Sequence, residues 1–516
     1  MRTLLYLVMK INHKTYSQKT SNYEGGRAFK MTPKTELVQR CITCYWNEPK
    51  FYEKGEQTAT AIIDLIQKVA KQDPEFVLQL AKVIRNEPFN MRTVSIVMWV
   101  EAGLNENIKQ LRDDEGRSLV TKYAPSIIKR ADELTEALAY LIQEVGQIGT
   151  NGSGSIPAGI KKGLAKAFEN FDEYQFAKYR GKGDVKLSDV IRLVRPKPRA
   201  ITLKDKKYTK AQRSELYKNI RHELLRQDDT WEAILSEEGR SAETWNKVIG
   251  MGKKFPFMAM LRNLRNIMQV GADLDPVISR LKDEQQILNS RQHPYRFYSA
   301  YKMIEREGHL KSQNIMEALE NAMEISCGNL PQLGGTTAVL VDNSGSMHSR
   351  LSGDSIIEYS DISSFMGAVS HYICDTSHVI AYGSTVVPVK ISRNNTIINN
   401  MEVISGAYTG GATNTYLAVQ YLIQNRIKVD RIINFTDMQG YGQSSFNQMI
   451  QEYRRTINPD VWVYSINLAG YGTCELNVQH PKNIELSGWS PQILNFISSN
   501  ESDMISFVDA VKEIKP

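Results

Sequence analysis

The chain has 516 residues, 41% of them hydrophobic and 23% charged, with a formal net charge of +7. That length exceeds what one hydrophobic core holds and predicts two to four folding units, while so ordinary a composition excludes wholesale disorder or a fibre. Charge divides unevenly: residues 1–330 carry 53 Lys and Arg against 41 Asp and Glu, and residues 331–516 carry 11 against 16. A polyanion is therefore expected to meet the first part and a different kind of partner the second.

The five cysteines (Cys41, Cys44, Cys327, Cys374 and Cys474) are odd in number and scattered, which is no disulfide framework and fits a reducing compartment. Cys41 and Cys44 form a C-x-x-C pair without a second pair or a neighbouring His, so they read as small buried residues on a helix rather than a zinc or redox centre. Residues 1–21 begin with a short apolar run, MRTLLYLVMK, that lacks a small-residue cleavage site, and are expected to be a flexible segment. No run approaches the roughly 18 apolar residues of a membrane span. A cytoplasmic monomer without a membrane partner is expected.

From about residue 34 to 330 the pattern is helical. TATAIIDLIQKVAKQ (58–72) spaces its apolar residues for one helical face and ends at Asp73-Pro74; PEFVLQLAKVIRN, NMRTVSIVMWVEAGL, SLVTKYAPSIIKRA and TEALAYLIQEVG follow. Short helices joined by Pro, Gly or Asp turns predict stacked antiparallel pairs, like a solenoid, although no fixed period repeats. GQIGTNGSGSI (146–156) is a flexible loop. A further helical block runs over 157–193, RPKPRA (195–200) breaks it, and helices return over 209–271 and 294–327. From about residue 335 the texture changes. TTAVLVD, HVIAYG, RIINFTD and DVWVYSINL read as buried strands, and SDISSFMGAVSHYIC, TYLAVQYLIQNR and SFNQMIQEYRRT as the helices between them. That alternation predicts a doubly wound α/β domain, with its chemistry beyond the carboxyl ends of the strands.

Asp342-Asn343-Ser344-Gly345-Ser346 stands where the first of these strands ends. Asp342 offers a carboxylate, and Ser344 and Ser346 can aim hydroxyls at the same point. Thr413 follows a glycine-rich turn, and Asp437 ends RIINFTD. Such an all-oxygen set with little negative charge suits Mg²⁺ or a similar divalent cation. Helix capping by Asp and Ser would account for the first motif alone. A phosphoryl-transfer nucleophile would need a second carboxylate two residues after Asp342, where Ser344 stands, so no enzymatic activity is expected. The D-x-S-x-S, T and D order resembles the metal-ion-dependent adhesion site of von Willebrand A domains. The resemblance implies metal binding by Asp342, Ser344, Ser346 and Thr413, directly or through water, and by Asp437 through water. It also implies an open position for an acidic residue of a protein partner.

A second concentration of chemistry lies in residues 158–199, with 11 Lys and Arg against five acids and with Phe168, Phe171, Tyr174, Phe176 and Tyr179 interleaved. Cations there would neutralise phosphates, and exposed aromatic rings would stack unpaired bases. A solvated helix face over core aromatics explains the same composition. Lys161, Lys162 and Lys166 fall along one helical face, and Lys178, Tyr179, Arg180 and Lys182 straddle a helix end and a glycine turn.

This segment resembles the hallmark stretch of the TROVE domain, the helical module of the Ro ribonucleoprotein autoantigen family. NYEGGRAFKM (22–31), FPFMAMLRNLRNI (255–267), RQHPYRFYSAYKM (291–303) and NLAGYG (467–472) are similar to other pieces of that family, in the same order. The resemblance implies a ring of HEAT-like helical repeats over residues 22–330, followed by a von Willebrand A-like domain over 331–516. It implies binding of small structured non-coding Y RNA on the outer surface and of single-stranded 3′ ends of misfolded RNA in a basic hole, in support of RNA quality control. An exoribonuclease tethered through the RNA is an expected partner. Motif matching nominates Lys161, Lys162, Lys166, Lys178, Arg180, Lys182 and Lys186 as RNA contacts. Lys186 stands in for a histidine that the family often carries, within GDVKLSD where the family has Gly-Trp-Ser-His. Arg262 and Arg265, with Lys253 and Lys254, are candidates for the hole, and an amphipathic helix explains them equally well. A metal-dependent protein scaffold acting through the A-type domain is the alternative function.

Overall fold

The computed structural model describes residues 19–43, 55–86, 89–146, 155–178, 183–203, 205–225, 230–308, 313–351, 355–488, 493–494, 497–498, 511 and 514–515. They fall into two compact units, one of residues 59–229 with 509–516, the other of residues 1–58 with 230–508.

In the first unit the helical reading becomes Gly55–Gln72, Pro74–Arg85, Arg92–Leu104, Leu119–Ile127, Ala131–Val145, Ala158–Ala167, Leu187–Val194 and Lys210–Arg221. Pro74 sits in the first turn of its helix, where a missing N–H costs nothing. The core gathers Phe76, Trp99, Tyr123, Phe168 and Phe171, all essentially inaccessible to solvent. The Trp99 indole N–H donates to the Val120 carbonyl at 2.8 Å, so the ring is buried without an unmet donor. Ionic groups are also buried: Arg85 pairs with Glu133, Arg213 donates to the carbonyls of Phe171 (2.6 Å) and Phe168 (2.7 Å) and to the Tyr217 hydroxyl (2.9 Å), and Glu101 accepts from the Tyr140 hydroxyl at 2.9 Å. Ile201–Leu203 and Lys206–Tyr208 form an antiparallel hairpin after RPKPRA, in a stretch where the sequence suggested only a break.

The second unit opens with another hairpin, Lys19–Ser21 paired with Arg27–Lys30, whose second strand also pairs with Thr473–Cys474. Lys19–Ser21 was expected to be flexible; as a strand it is held by its pairing partner. Helices between Trp231 and Ser326 follow, including Asp275–Lys282 and Glu284–Ser290 in a stretch not read as helical. The six-stranded sheet runs, in spatial order, Asn483–Ser487, Trp462–Asn467, Arg431–Thr436, Leu333–Asp342, Cys374–Tyr382 and Val386–Val389. All neighbours are parallel except the last pair, which is antiparallel. Every residue of Arg431–Thr436 and the last six of Leu333–Asp342 are buried, as a strand covered on both faces requires. From the central strand the chain moves first to one side and later to the other. The carboxyl ends of Leu333–Asp342 and Arg431–Thr436 therefore flank a topological switch point, the usual place for a ligand in such sheets. Tyr298, on the helix Pro294–Glu307, donates to Asp361 at 2.5 Å and packs on Phe365, which ties that helix to Tyr359–Ile373, one of the helices interleaved with the strands.

Candidate metal centre and nucleic-acid face

Asp342 and Asp437 emerge from adjacent strands at that switch point, and both are fully buried. Asp342 accepts from the Ser344 amide at 2.9 Å and from the Thr436 hydroxyl at 2.7 Å. The Ser344 and Ser346 hydroxyls lie 3.4 Å apart. Gly345 donates to the Gly411 carbonyl at 3.1 Å, and Tyr441 donates to the Thr413 carbonyl at 2.8 Å, so the three loops bearing the predicted residues are laced together. Thr413 is buried there as well.

The electrostatics of this cluster are unfavourable by themselves. Burial, then the charges of Asp342 and Glu475, push the Asp437 carboxyl up to about 8, while the Ser346 hydroxyl works in the opposite direction. Burial also raises Asp342, against hydrogen bonds from Ser344 and Thr436. Asp437 Oδ2 has no hydrogen-bond partner among the described residues. An orphaned carboxylate oxygen beside two serine hydroxyls and a second carboxylate fits a hard divalent cation, which would offset both the charge and the unmet acceptor. Among the described residues no group of three or more His, Cys, Asp or Glu is placed to hold a metal.

Glu475 is a residue that the sequence reading missed. It is buried, lies beneath the loop after Asp437 and takes a hydrogen bond from the Gly440 amide, and burial raises its carboxyl to about 7. Only the fold brings it near Asp342, since no motif spans the 133 positions between them.

On the helical unit, Lys161, Lys162 and Lys166 are exposed on Ala158–Ala167. The buried face of that helix carries Ile160, Gly163, Leu164 and Ala167, and the half-buried Gly159 sits close to Val120. A Cβ on Gly163 would lie 2.6 Å from Trp99 Cζ2, so the glycine lets the helix press against the core and turn its lysines outward. The carbonyls at the helix end, Phe168 and Phe171, are those held by Arg213. Arg213 is thus a second residue the reading overlooked, because a lone Arg in a polar helix looks solvated. Phe168, Phe171 and Phe176 do not stack bases: they are buried against one another, with ring centroids 5.4 and 5.5 Å apart, because each fills the space beneath the helix. Lys178 approaches Tyr174, its Nζ 5.5 Å from the ring centroid. Lys186 is exposed, caps Leu187–Val194 and pairs with Glu223 at 3.6 Å. Tyr179, Arg180 and Lys182 lie outside the described residues, as does Cys44, whereas Cys41 is buried. Arg262 and Arg265 are exposed on Phe257–Gln269, opposite the buried Leu261, Leu264 and Met268, and Lys253 and Lys254 are exposed just before it. These four belong to the second unit, not to the one that carries the lysine helix. No described helix is long and apolar enough to cross a membrane.

Comparison with known proteins accords with this architecture. The TROVE domain model matches residues 30–224 and 221–330, and the Ro60 vWA domain model matches residues 337–499. A 93-residue stretch is 42% identical to Telomerase protein component 1 of Mus musculus, covering 17% of this chain and 4% of that protein. Another, of 217 residues, is 26% identical to the RNA-binding protein RO60 of Caenorhabditis elegans, covering 39% of this chain and 32% of the relative. The crystal structure of the Deinococcus radiodurans RO (RSR) protein superposes with a TM-score of 0.63 at 16% identity, over 93% of this chain and 100% of the other. With both domain models matched in sequence and together spanning most of its length, this chain belongs to the Ro family of TROVE-domain proteins.

Proposed function

We propose that the protein is a non-catalytic, cytoplasmic RNA-binding protein. It forms a ribonucleoprotein with a small, structured, Y-like RNA and takes single-stranded 3′ ends of misfolded or decaying RNA, in support of RNA quality control. Its C. elegans relative is named as RNA-binding, and the family match extends over both domains. The observation that carries the reading is the helix Ala158–Ala167, with three exposed lysines on one face and two glycines seated against the core. A fixed row of cations releases counterions from a phosphate backbone without first losing freedom of the element that displays it. An exoribonuclease would be recruited through the same RNA.

The test is fluorescence anisotropy with a labelled RNA hairpin bearing a single-stranded 3′ tail, over a salt series. Wild type is expected to bind with a steep salt dependence. Replacing Lys161, Lys162 and Lys166 by Ala should weaken binding and lower the slope by roughly 2, at about 0.7 per lost phosphate contact on single strands. Wild type that ignores both hairpin and tail at low salt would rule the reading out.

A second reading concerns the switch point of the sheet. Asp342, Ser344, Ser346 and Thr413 would hold Mg²⁺, with Asp437 acting through water, and a partner's acidic residue would complete the coordination. The unpartnered Asp437 oxygen favours it. Loss of RNA binding with EDTA would assign the metal to RNA; partner capture that is lost with EDTA while RNA binding persists would assign it to protein.

A further inference from the structure

The loop that follows Asp437 is gripped by a part of the chain more than 400 positions away. Asn22, at the turn of the N-terminal hairpin, donates through Nδ2 to the carbonyls of Gly440 (2.8 Å) and Met438 (3.3 Å). Its Oδ1 accepts from the Gly26 amide at 2.7 Å, so the same side chain closes the hairpin and holds the loop. The Tyr23 amide donates to Gln439 Oε1 at 2.9 Å, and Gln439 Nε2 donates to the Asp437 carbonyl at 3.4 Å. Contact is close enough that a Cβ on Gly26 would overlap the Gly440 carbonyl oxygen. From the other side, Gly440 donates to Glu475, and a Cβ on Gly440 would lie 2.6 Å from the Thr415 hydroxyl. Between these jaws Met438 is fully buried with φ +64°, a left-handed conformation that a bulky residue keeps only where its surroundings impose it. The hairpin is itself anchored by pairing with Thr473–Cys474 and by Tyr23 against Tyr471, with ring centroids 5.5 Å apart.

We propose that the N-terminal hairpin is a clamp on the metal loop: Asn22 and Tyr23 fix the position from which Asp437 addresses the cation, and the cation in turn orders the hairpin. The inference rests on the metal reading above. Neither residue would touch the metal; both act by positioning. Coupling of this kind is reciprocal, so whatever the hairpin contributes to cation affinity, the cation returns to the hairpin as order.

Mn²⁺ binding to the full-length chain, measured by electron paramagnetic resonance of the free ion, tests the clamp. Asn22→Asp keeps an acceptor for the Gly26 amide but removes both donors to the loop. It is expected to bind Mn²⁺ roughly tenfold more weakly, the scale usual for groups that orient metal ligands. Arg27→Ala should bind as wild type, because Arg27 bonds Gln448 and not the loop. In wild type, saturating Mn²⁺ should slow hydrogen exchange across residues 22–30. A folded Asn22→Asp with wild-type affinity overturns the clamp, provided Asp342→Ala has lost Mn²⁺. If wild type binds no Mn²⁺, or Asp342→Ala binds it equally well, the metal reading itself falls and the clamp with it. Should Asn22→Asp not fold, the exchange experiment decides: slowing upholds the clamp, and unchanged exchange overturns it.

Discussion

The two compact units differ in how most of their buried charge is met. In residues 59–229, Arg85 meets Glu133, and Arg213 spends its donors on two carbonyls and a tyrosine hydroxyl. Those charges have counterparts supplied by the chain, whereas the buried Glu101 has, among the described residues, only the Tyr140 hydroxyl at 2.9 Å and is raised by burial and by Glu144. In the sheet-bearing unit, Asp342, Asp437, Glu475 and Glu485 are all buried, and the charges that raise Asp437, Glu475 and Glu485 are other members of the same set. A buried charge that is paired supports a fold, whereas one that is not weakens it unless something binds. The helical unit thus meets most of its buried charge from its own chain and displays lysines; under the proposed metal reading, the sheet unit would gain from a cation.

This contrast can be broken at several points. The largest effect is expected from Glu133→Ala, which strands Arg85 and should cost about 3–5 kcal/mol in urea unfolding, with Arg92 also losing a partner at 3.5 Å. A loss below about 1 kcal/mol would show that the pairing is not what holds the helical unit. Next is the cation: at a hundredfold excess over its dissociation constant, Mg²⁺ should stabilise the wild type by about 2.7 kcal/mol. Asp437→Asn should raise stability without metal only above about pH 8, where the repelled carboxyl is ionised, and abolish most of that response. Differential scanning calorimetry with and without Mg²⁺ reads both, and an Asp437→Asn protein that keeps the full response would refute the assignment.

A smaller effect is expected from pH. Glu485, which accepts from Gln39 at 2.7 Å, is raised to about 8, chiefly by burial. The folded chain then holds a proton that the unfolded chain releases near the ordinary glutamate value of about 4.3. Between those values the folded state binds more protons, so this group's contribution to stability is present below the lower value and is lost as pH rises through 8. Glu485→Gln should flatten the fall in melting temperature between pH 5 and pH 8, and an unchanged profile would locate the dependence elsewhere. The smallest effect is expected from Arg262→Ala with Arg265→Ala. Both residues are exposed, so stability should stay within about 0.5 kcal/mol, and any change should appear in affinity for the RNA tail alone.

What the sequence reveals and conceals follows from the range of the forces involved. TTAVLVD and RIINFTD announce themselves because a strand buried on both faces must be apolar throughout. Val386–Val389, an edge strand containing Pro388, and Asn483–Ser487, with Glu485 inside it, carry no such signature and went unread. The motif residues Asp342, Ser344, Ser346, Thr413 and Asp437 are legible because each stands at the end of a recognisable element, and the loops bearing them are hydrogen-bonded into one cluster. Asn22 and Glu475 are not legible, since their roles exist only through contacts with a loop far away in sequence. The lysine helix falls between these cases: its charges can be read directly, but the burial of Phe168 and Phe171 just after it, and the Arg213 that holds their carbonyls from some 40 residues later, emerge only in the fold.

The way the chain threads its two units also bears on how it is made. Among the described residues the N-terminal hairpin finds its further strand partner at Thr473–Cys474, and in the helical unit Gln79 and Tyr123 both donate to the carbonyl of Ile514. Elongation at roughly 10 residues per second leaves the first-made hairpin without its late partner for tens of seconds. During that interval Asn22 and its neighbours emerge from the ribosome with strand edges unpaired, so a nascent chain stalled short of residue 473 should be a preferred client of chaperones that shield exposed edges.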